Sequence, residues 1–178
     1  MVVEEIPYLL TGYLTEKGVI IDDLKAQEEL KKRGYGEELN DKLSLKDYEA
    51  IFLLYSGKLR VLRDGKEISV KELVNISKDT NIWTRFLIYR DLRSRGYVVR
   101  EGFGFGVDFR VYDRGEYGSK SAKYVVFGLN EGTKTPIKEL CEIVSQIERM
   151  GKEAVLAVIE RRGEVIYYKI QSWIPYKY

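Results

Sequence analysis

Residues 108–112, Asp-Phe-Arg-Val-Tyr, set three groups able to act on a substrate into a run that otherwise favours a strand. Successive side chains of a strand point to opposite faces, so Asp108, Arg110 and Tyr112 share one face, and Phe109 and Val111 the other. A strand that lines up a carboxylate, a guanidinium and a phenol does more than fill a core. Whatever proton transfer it supports must proceed without imidazole, because the chain has no histidine. With a single cysteine as well, a transition-metal site of the usual kind is all but excluded, and no metal or other cofactor is expected. Lys120 and Lys123 can supply charge, but a lysine titrates too high for acid catalysis near neutral pH unless strongly buried. Cys141 has no internal disulfide partner, and Leu140 and Ile143 beside it predict a buried structural thiol. Gly102, Gly104 and Gly106 join two strands and open no helix, so they are not a dinucleotide-binding fingerprint. Arg161-Arg162 reads as a solvated turn.

These groups need a frame. A helix from about Trp83 carries Phe86, Leu87, Tyr89, Leu92 and the more polar Arg93 near helical spacing, with Gly96 as a left-handed C-cap. Strands follow from Tyr97 and from Val107, joined by the glycine run, and then at Tyr124 to Gly128. After a loop from Leu129 to Pro136, a helix over Ile137 to Met150 presents Leu140, Ile143, Val144 and Ile147 inward. The last strands are Ala154 to Ile159 and Val165 to Ile170. Ahead of this half, short strands at Tyr8 to Tyr13 and Val19 to Ile21 lead to a helix capped by Asp22 or Asp23, with Leu24, Ala26 and Leu30 on its inner side. A strand at Lys42 to Leu45 precedes a helix with Ser44 as N-cap and a buried stripe of Leu45, Tyr48, Ile51, Phe52 and Tyr55. A strand at Leu59 to Leu62 and a helix from Ser69 to about Ile76 complete it. The expected fold class is α/β (α+β) in two small domains, residues 1–80 as a mixed α/β unit and 81–178 as a mixed sheet with flanking helices.

Composition sets the bounds. With 44% hydrophobic and 33% charged residues, the 178-residue chain can bury a proper core. No apolar run approaches the roughly 20 residues that span a bilayer, and MVVEEIPYLL is acidic and too short for a signal peptide, so a cytoplasmic protein without membrane contact is expected. A net charge of +2 does not demand a nucleic-acid partner, yet 30 basic residues leave room for a basic face. Abundant Lys, Arg, Glu and Tyr suit a thermophile. At the C-terminal end, Pro175 stops the last strand, and Trp173, Ile174, Tyr176 and Tyr178 predict a contact surface.

The run from Tyr89 to Gly115, Y-x-D-L-R-x-R-G-Y-x-V-x-x-G-x-x-F-G-x-D-F-R-x-Y-x-R-G, resembles the catalytic-domain signature of the archaeal tRNA-splicing endonucleases. The order of elements around Leu43-Ser44-Leu45 and Ser56-Gly57-Lys58-Leu59 resembles the same family's N-terminal half, so the resemblance covers nearly the whole chain. It implies metal-free cleavage of precursor tRNA at a bulge-helix-bulge, leaving a 2′,3′-cyclic phosphate and a 5′-hydroxyl. The family's tyrosine falls on Tyr112 and its lysine on Lys152. Its histidine, three residues before a strand tyrosine, falls on Ser121, and a serine hydroxyl is far too weak an acid for the step. Family arginines that clamp a flipped base fall near Ser145 and Ser172. Arg110, Lys120 and Lys123 are the expected RNA-binding residues, and Glu131, Trp173 and Ile174 the expected assembly residues.

The resemblance thus implies a structural subunit that supports a catalytic sister chain in a heterotetramer. The alternative is an active nuclease that uses Lys120 or water as a substituted acid.

Overall fold

A computed structural model describes residues 6–175. The chain packs as two compact units that divide between Val98 and Val99.

The first unit is built on a six-stranded sheet in the order β3-β4-β2-β1-β5-β6. Its strands are β1 (Leu10–Thr15), β2 (Gly18–Ile21), β3 (Glu37–Leu39), β4 (Lys42–Leu45), β5 (Leu59–Arg63) and β6 (Lys66–Ile68). β1 and β5 pair in parallel and every other neighbour pair is antiparallel. The helices are α1 (Leu24–Lys32), α2 (Asp47–Tyr55), α3 (Val70–Ile76) and α4 (Ile82–Ser94). Val19, Ile21, Leu30, Leu43, Ile51 and Val61 are fully enclosed. α4 packs on α2 through Tyr89, whose ring centroid lies 4.9 Å from that of Tyr48 and 5.6 Å from that of Phe52.

Arg93 explains why a charge can ride on the inner side of α4. Only 2% exposed, it donates from Nε to the Tyr89 hydroxyl at 3.0 Å and from its terminal nitrogens to the carbonyls of Arg33 (2.8 Å) and Gly34 (3.1 Å). Its guanidinium lies 4.0 Å from the Tyr35 ring centroid. A buried cation is tolerated only when its donors are met in this way. Gly96, at φ 87°, ends α4 in the left-handed region as expected.

Several local expectations change. Asp23 does cap α1 by accepting from Ala26 N at 2.8 Å, but Leu24 sits in the first turn at the solvent end and is 72% exposed. Ser44 stays in β4 and Lys46 precedes α2, its backbone N donating to the Glu49 carboxylate at 2.9 Å. Tyr55, at the last turn of α2, is exposed rather than part of the buried stripe. The short strands β3 and β6 carry too little alternation to be read from sequence.

The second unit is a five-stranded sheet in the order β11-β10-β9-β8-β7. It comprises β7 (Val98–Glu101), β8 (Asp108–Tyr112), β9 (Tyr124–Asn130), β10 (Glu153–Ile159) and β11 (Val165–Ile170), with α5 (Ile137–Arg149) connecting β9 to β10. β9 and β10 are parallel, as a helical crossover requires, while β8 and β11 flank them antiparallel. The expected stripe on α5 closes this core: Val144 and Ile147, with Leu140 and Ile143, pack on Val125, Phe127 and Ala154. Cys141 lies outside that stripe and is exposed, which overturns the expectation of a buried thiol. Leu129 and Asn130 belong to β9, opposite Val158 and Ile159, so the connection to α5 is shorter than expected. The architecture is mixed α/β. Among the described residues no helix is long and apolar enough to cross a membrane.

Candidate active site

Tyr112 is the last residue of β8, and the chain then makes an excursion before β9 begins at Tyr124. The neck of the excursion is tied twice: Lys123 N donates to the Val111 carbonyl at 3.0 Å, and Glu153 N donates to the Lys123 carbonyl at 2.9 Å. The second tie hangs it on the start of β10. Lys152, one residue earlier, then donates from Nζ to the Ala122 carbonyl at 2.7 Å. The stem of Lys152 is part-buried and Ala122 is buried, whereas Ser121 is exposed. Lys152 and the segment carrying Ser121 are therefore held together across the β9–β10 pair.

Tyr112 joins the same region through its ring. Tyr117 stands edge-on to it, with centroids 5.0 Å apart and planes at 90°, a geometry favoured by aromatic quadrupoles. The excursion is internally braced. The Glu116 carbonyl accepts from Ser119 N at 3.1 Å and Lys120 N at 2.9 Å, and the Glu116 carboxylate pairs with Lys120 Nζ at 2.5 Å. Lys123 Nζ lies 3.5 Å from an Asp113 carboxylate oxygen. A hydrogen bond with Tyr124, reinforced by neighbouring negative charge, pushes the Lys123 ammonium up from its ordinary value and so further from neutral pH.

Arg110 reaches the start of the glycine-rich connection. Its Nε donates to the Glu101 carbonyl at 2.8 Å, and its guanidinium is 5.8 Å from the Phe103 ring centroid. Asp108, 1% exposed, accepts from Phe103 N at 2.6 Å. A Cβ at Gly102 would stand 2.1 Å from that carboxylate, so only glycine fits there. The aligned Asp108 and Arg110 thus hold the glycine-rich connection between β7 and β8.

The remaining expected positions are scattered. Glu131 accepts from Arg161 N at 3.2 Å and lies 3.8 Å from Arg161 Nε, against the β10–β11 turn. Ser172 donates from both its backbone N and its hydroxyl to Glu148, each at 2.7 Å. Those two donors, the backbone one foremost, hold the Glu148 carboxyl below its ordinary value. Trp173 and Ile174 are 82% and 83% exposed, while Tyr176 and Tyr178 lie outside the described residues. Tyr117, Glu116 and Glu148 were not singled out from sequence. Glu116 and Tyr117 lie outside every helix and strand, so no periodicity marks them in the sequence. Among the described residues no three His, Cys, Asp or Glu side chains gather as metal ligands would.

Comparison with known proteins agrees with this frame. Residues 10–74 match the family described as tRNA intron endonuclease, N-terminal domain, and residues 82–167 match its catalytic C-terminal domain. The tRNA-splicing endonuclease of Thermococcus onnurineus is 36% identical over 147 residues, covering 82% of this chain and 84% of the relative. That of Pyrococcus furiosus is 33% identical over 162 residues, covering 89% and 94%. That of Methanothermobacter thermautotrophicus is 31% identical over 144 residues, covering 80% and 84%. With both parts matched in order and the relatives aligned along most of their length, this chain belongs to the tRNA-splicing endonuclease family.

Proposed function

We propose that the chain is a structural subunit of a tRNA-splicing endonuclease, which holds precursor tRNA and a catalytic sister chain but does not itself complete the cleavage. In the reaction proposed for the assembly, the ribose 2′-oxygen forms a bond to the adjacent phosphorus and the bond to the 5′-oxygen breaks. The 2′-hydroxyl proton goes to a base, and the leaving 5′-oxygen takes one from an acid. A cation offsets the charge that builds on the phosphate oxygens. Tyr112, Ser121 and Lys152 occupy the three family positions.

The observation that carries this reading is the content of the excursion between β8 and β9. Ser121 stands at the acid position, and no neighbour replaces what it lacks: Lys120 is paired to Glu116, and Lys123 is pushed further from neutrality. Lys152 is the side chain that would meet phosphate, but one of its N–H groups is committed to the Ala122 carbonyl. A frame kept this intact around a missing acid suits a supporting role.

The test is cleavage of an intron-containing precursor tRNA by the purified chain, alone and mixed with a sister chain that carries Tyr, His and Lys. Cleavage is expected only in the mixture. Multiple-turnover cleavage by the single chain, abolished by Tyr112→Phe, would instead establish the substituted-acid nuclease.

A further inference from the structure

On the first unit, α2 and α4 present an aromatic surface that the site above does not use. Trp83, Phe86 and Arg90 fall at i, i+3 and i+7 of α4, one face of a helix, and Tyr55 meets them from the end of α2. Phe86 is the floor, 1% exposed. Trp83 leans on it with centroids 5.3 Å apart and Tyr55 stands edge-on at 5.6 Å, yet these two are 53% and 57% exposed. The Arg90 guanidinium lies 5.7 Å from the Tyr55 centroid and 5.5 Å from that of Phe86.

The charges nearby are unevenly matched. Asp79 is held by Arg85 at 2.6 Å and Asp91 by Arg95 at 2.9 Å. Among the described residues Arg90 has the two rings as partners and no carboxylate or carbonyl. A planar donor fork laid against aromatics, part-exposed and without an acceptor, matches a phosphate or carboxylate. Two half-exposed rings beside it match a base. An acidic peptide would satisfy Arg90 and leave the rings idle, and a duplex would offer phosphates but no free base face. An unpaired nucleotide uses both features at once.

We infer that the Tyr55–Trp83–Arg90 face is a stacking site for an unpaired nucleotide of RNA. This rests on the reading of the chain as a precursor-tRNA-binding subunit and adds a contact on the unit that carries none of the family's three catalytic positions. Base and phosphate are gripped together, so the site selects single-stranded segments and does so with little regard to sequence.

The experiment uses the full chain with Trp173→Phe, leaving Trp83 as the sole tryptophan. Titration with a uridine dodecamer should quench its fluorescence to saturation, because a base stacked on indole quenches it. Arg90→Gln should weaken that affinity about tenfold, and Trp83→Ala should do the same for a labelled dodecamer followed by anisotropy, in the range of one stacked base. In the complex with the sister chain, both variants should raise KM for precursor tRNA and leave kcat unchanged. No quenching by the dodecamer, or an unchanged KM in both variants, overturns the inference while the supporting-subunit reading stands. Quenching by polyglutamate in place of the dodecamer overturns it too and assigns the face to an acidic protein. Failure of the mixed chains to cleave precursor would count against the subunit reading, and the dodecamer titration would still decide this site.

Discussion

The ammonium of Lys152 reaches the backbone carbonyl of Ala122 at 2.7 Å, so a residue before β10 supports the excursion that leaves β8. That bond gives Lys152 a positioning role whether or not it also meets phosphate. Lys152→Met should lower stability by about 1–2 kcal/mol, the range for a charged hydrogen bond that is only part-buried. Trypsin should also cut faster at Arg114 and Lys120. Urea unfolding and timed proteolysis measure both, and wild-type cleavage rates would show that the bond does not hold the segment.

Ser121→His introduces a group titrating near neutral pH at an exposed position, the one proposed for the acid. General acid catalysis is worth roughly 10²–10⁴-fold when the acid is positioned. Here the gain in single-turnover cleavage by the single chain should fall well below that range if, as we propose, Ser145 and Ser172 stand at the positions of the base-clamping arginines, since neither supplies a cation. A full restoration of rate would mean that only the acid was missing.

Arg93→Leu should be among the most damaging single changes in the first unit. It removes the hydrogen bonds to the Arg33 and Gly34 carbonyls and the Tyr89 hydroxyl together with the guanidinium packed against the Tyr35 ring. A loss of about 2–4 kcal/mol is expected. Chemical denaturation with an unchanged slope reads it directly, and a change under about 0.5 kcal/mol would contradict the network's role.

The Glu148–Ser172 contact sets a pH dependence with a definite sign. The folded-state pKa of Glu148 is lowered, so its contribution is complete above the ordinary glutamate value of about 4.3 and is lost as pH falls through the depressed value. Trp173 follows Ser172 directly, and its emission in a Trp83→Phe background should shift over that acidic window. Glu148→Gln should remove the step. A step that survives the substitution would belong to another group.

Truncation after Gln171 removes the exposed Trp173 and Ile174 without touching β11. Apart from losing the two Ser172 donors to Glu148, the shortened chain should keep its fold, and it should lose its association with the sister chain, since large exposed hydrophobic side chains supply interface area. Light scattering on the mixture decides it, and an unchanged assembly size would remove the tail from the interface.

Periodicity and turn chemistry alone determined much of this protein. The 3.6-residue stripe of α5, the alternation in β8 and β11, a cap at Asp22 or Asp23 (the structure shows Asp23) and the left-handed Gly96 are local properties, set by residues within a few positions of one another. The absence of histidine and the identity of Ser121 were equally legible, because chemistry that depends on residue type needs no coordinates. Only the tertiary structure decided where those types act. Arg110 turned back to the Glu101 carbonyl, Lys152 was drawn to Ala122, and Glu148 met Ser172, each through pairings many residues apart in sequence. It also exposed Cys141 and Tyr55, whose apolar neighbours had suggested burial. Local patterns report which face of an element is apolar. Which partner a polar group finds depends on how distant segments are brought into register, and spacing along one strand or helix carries no record of that.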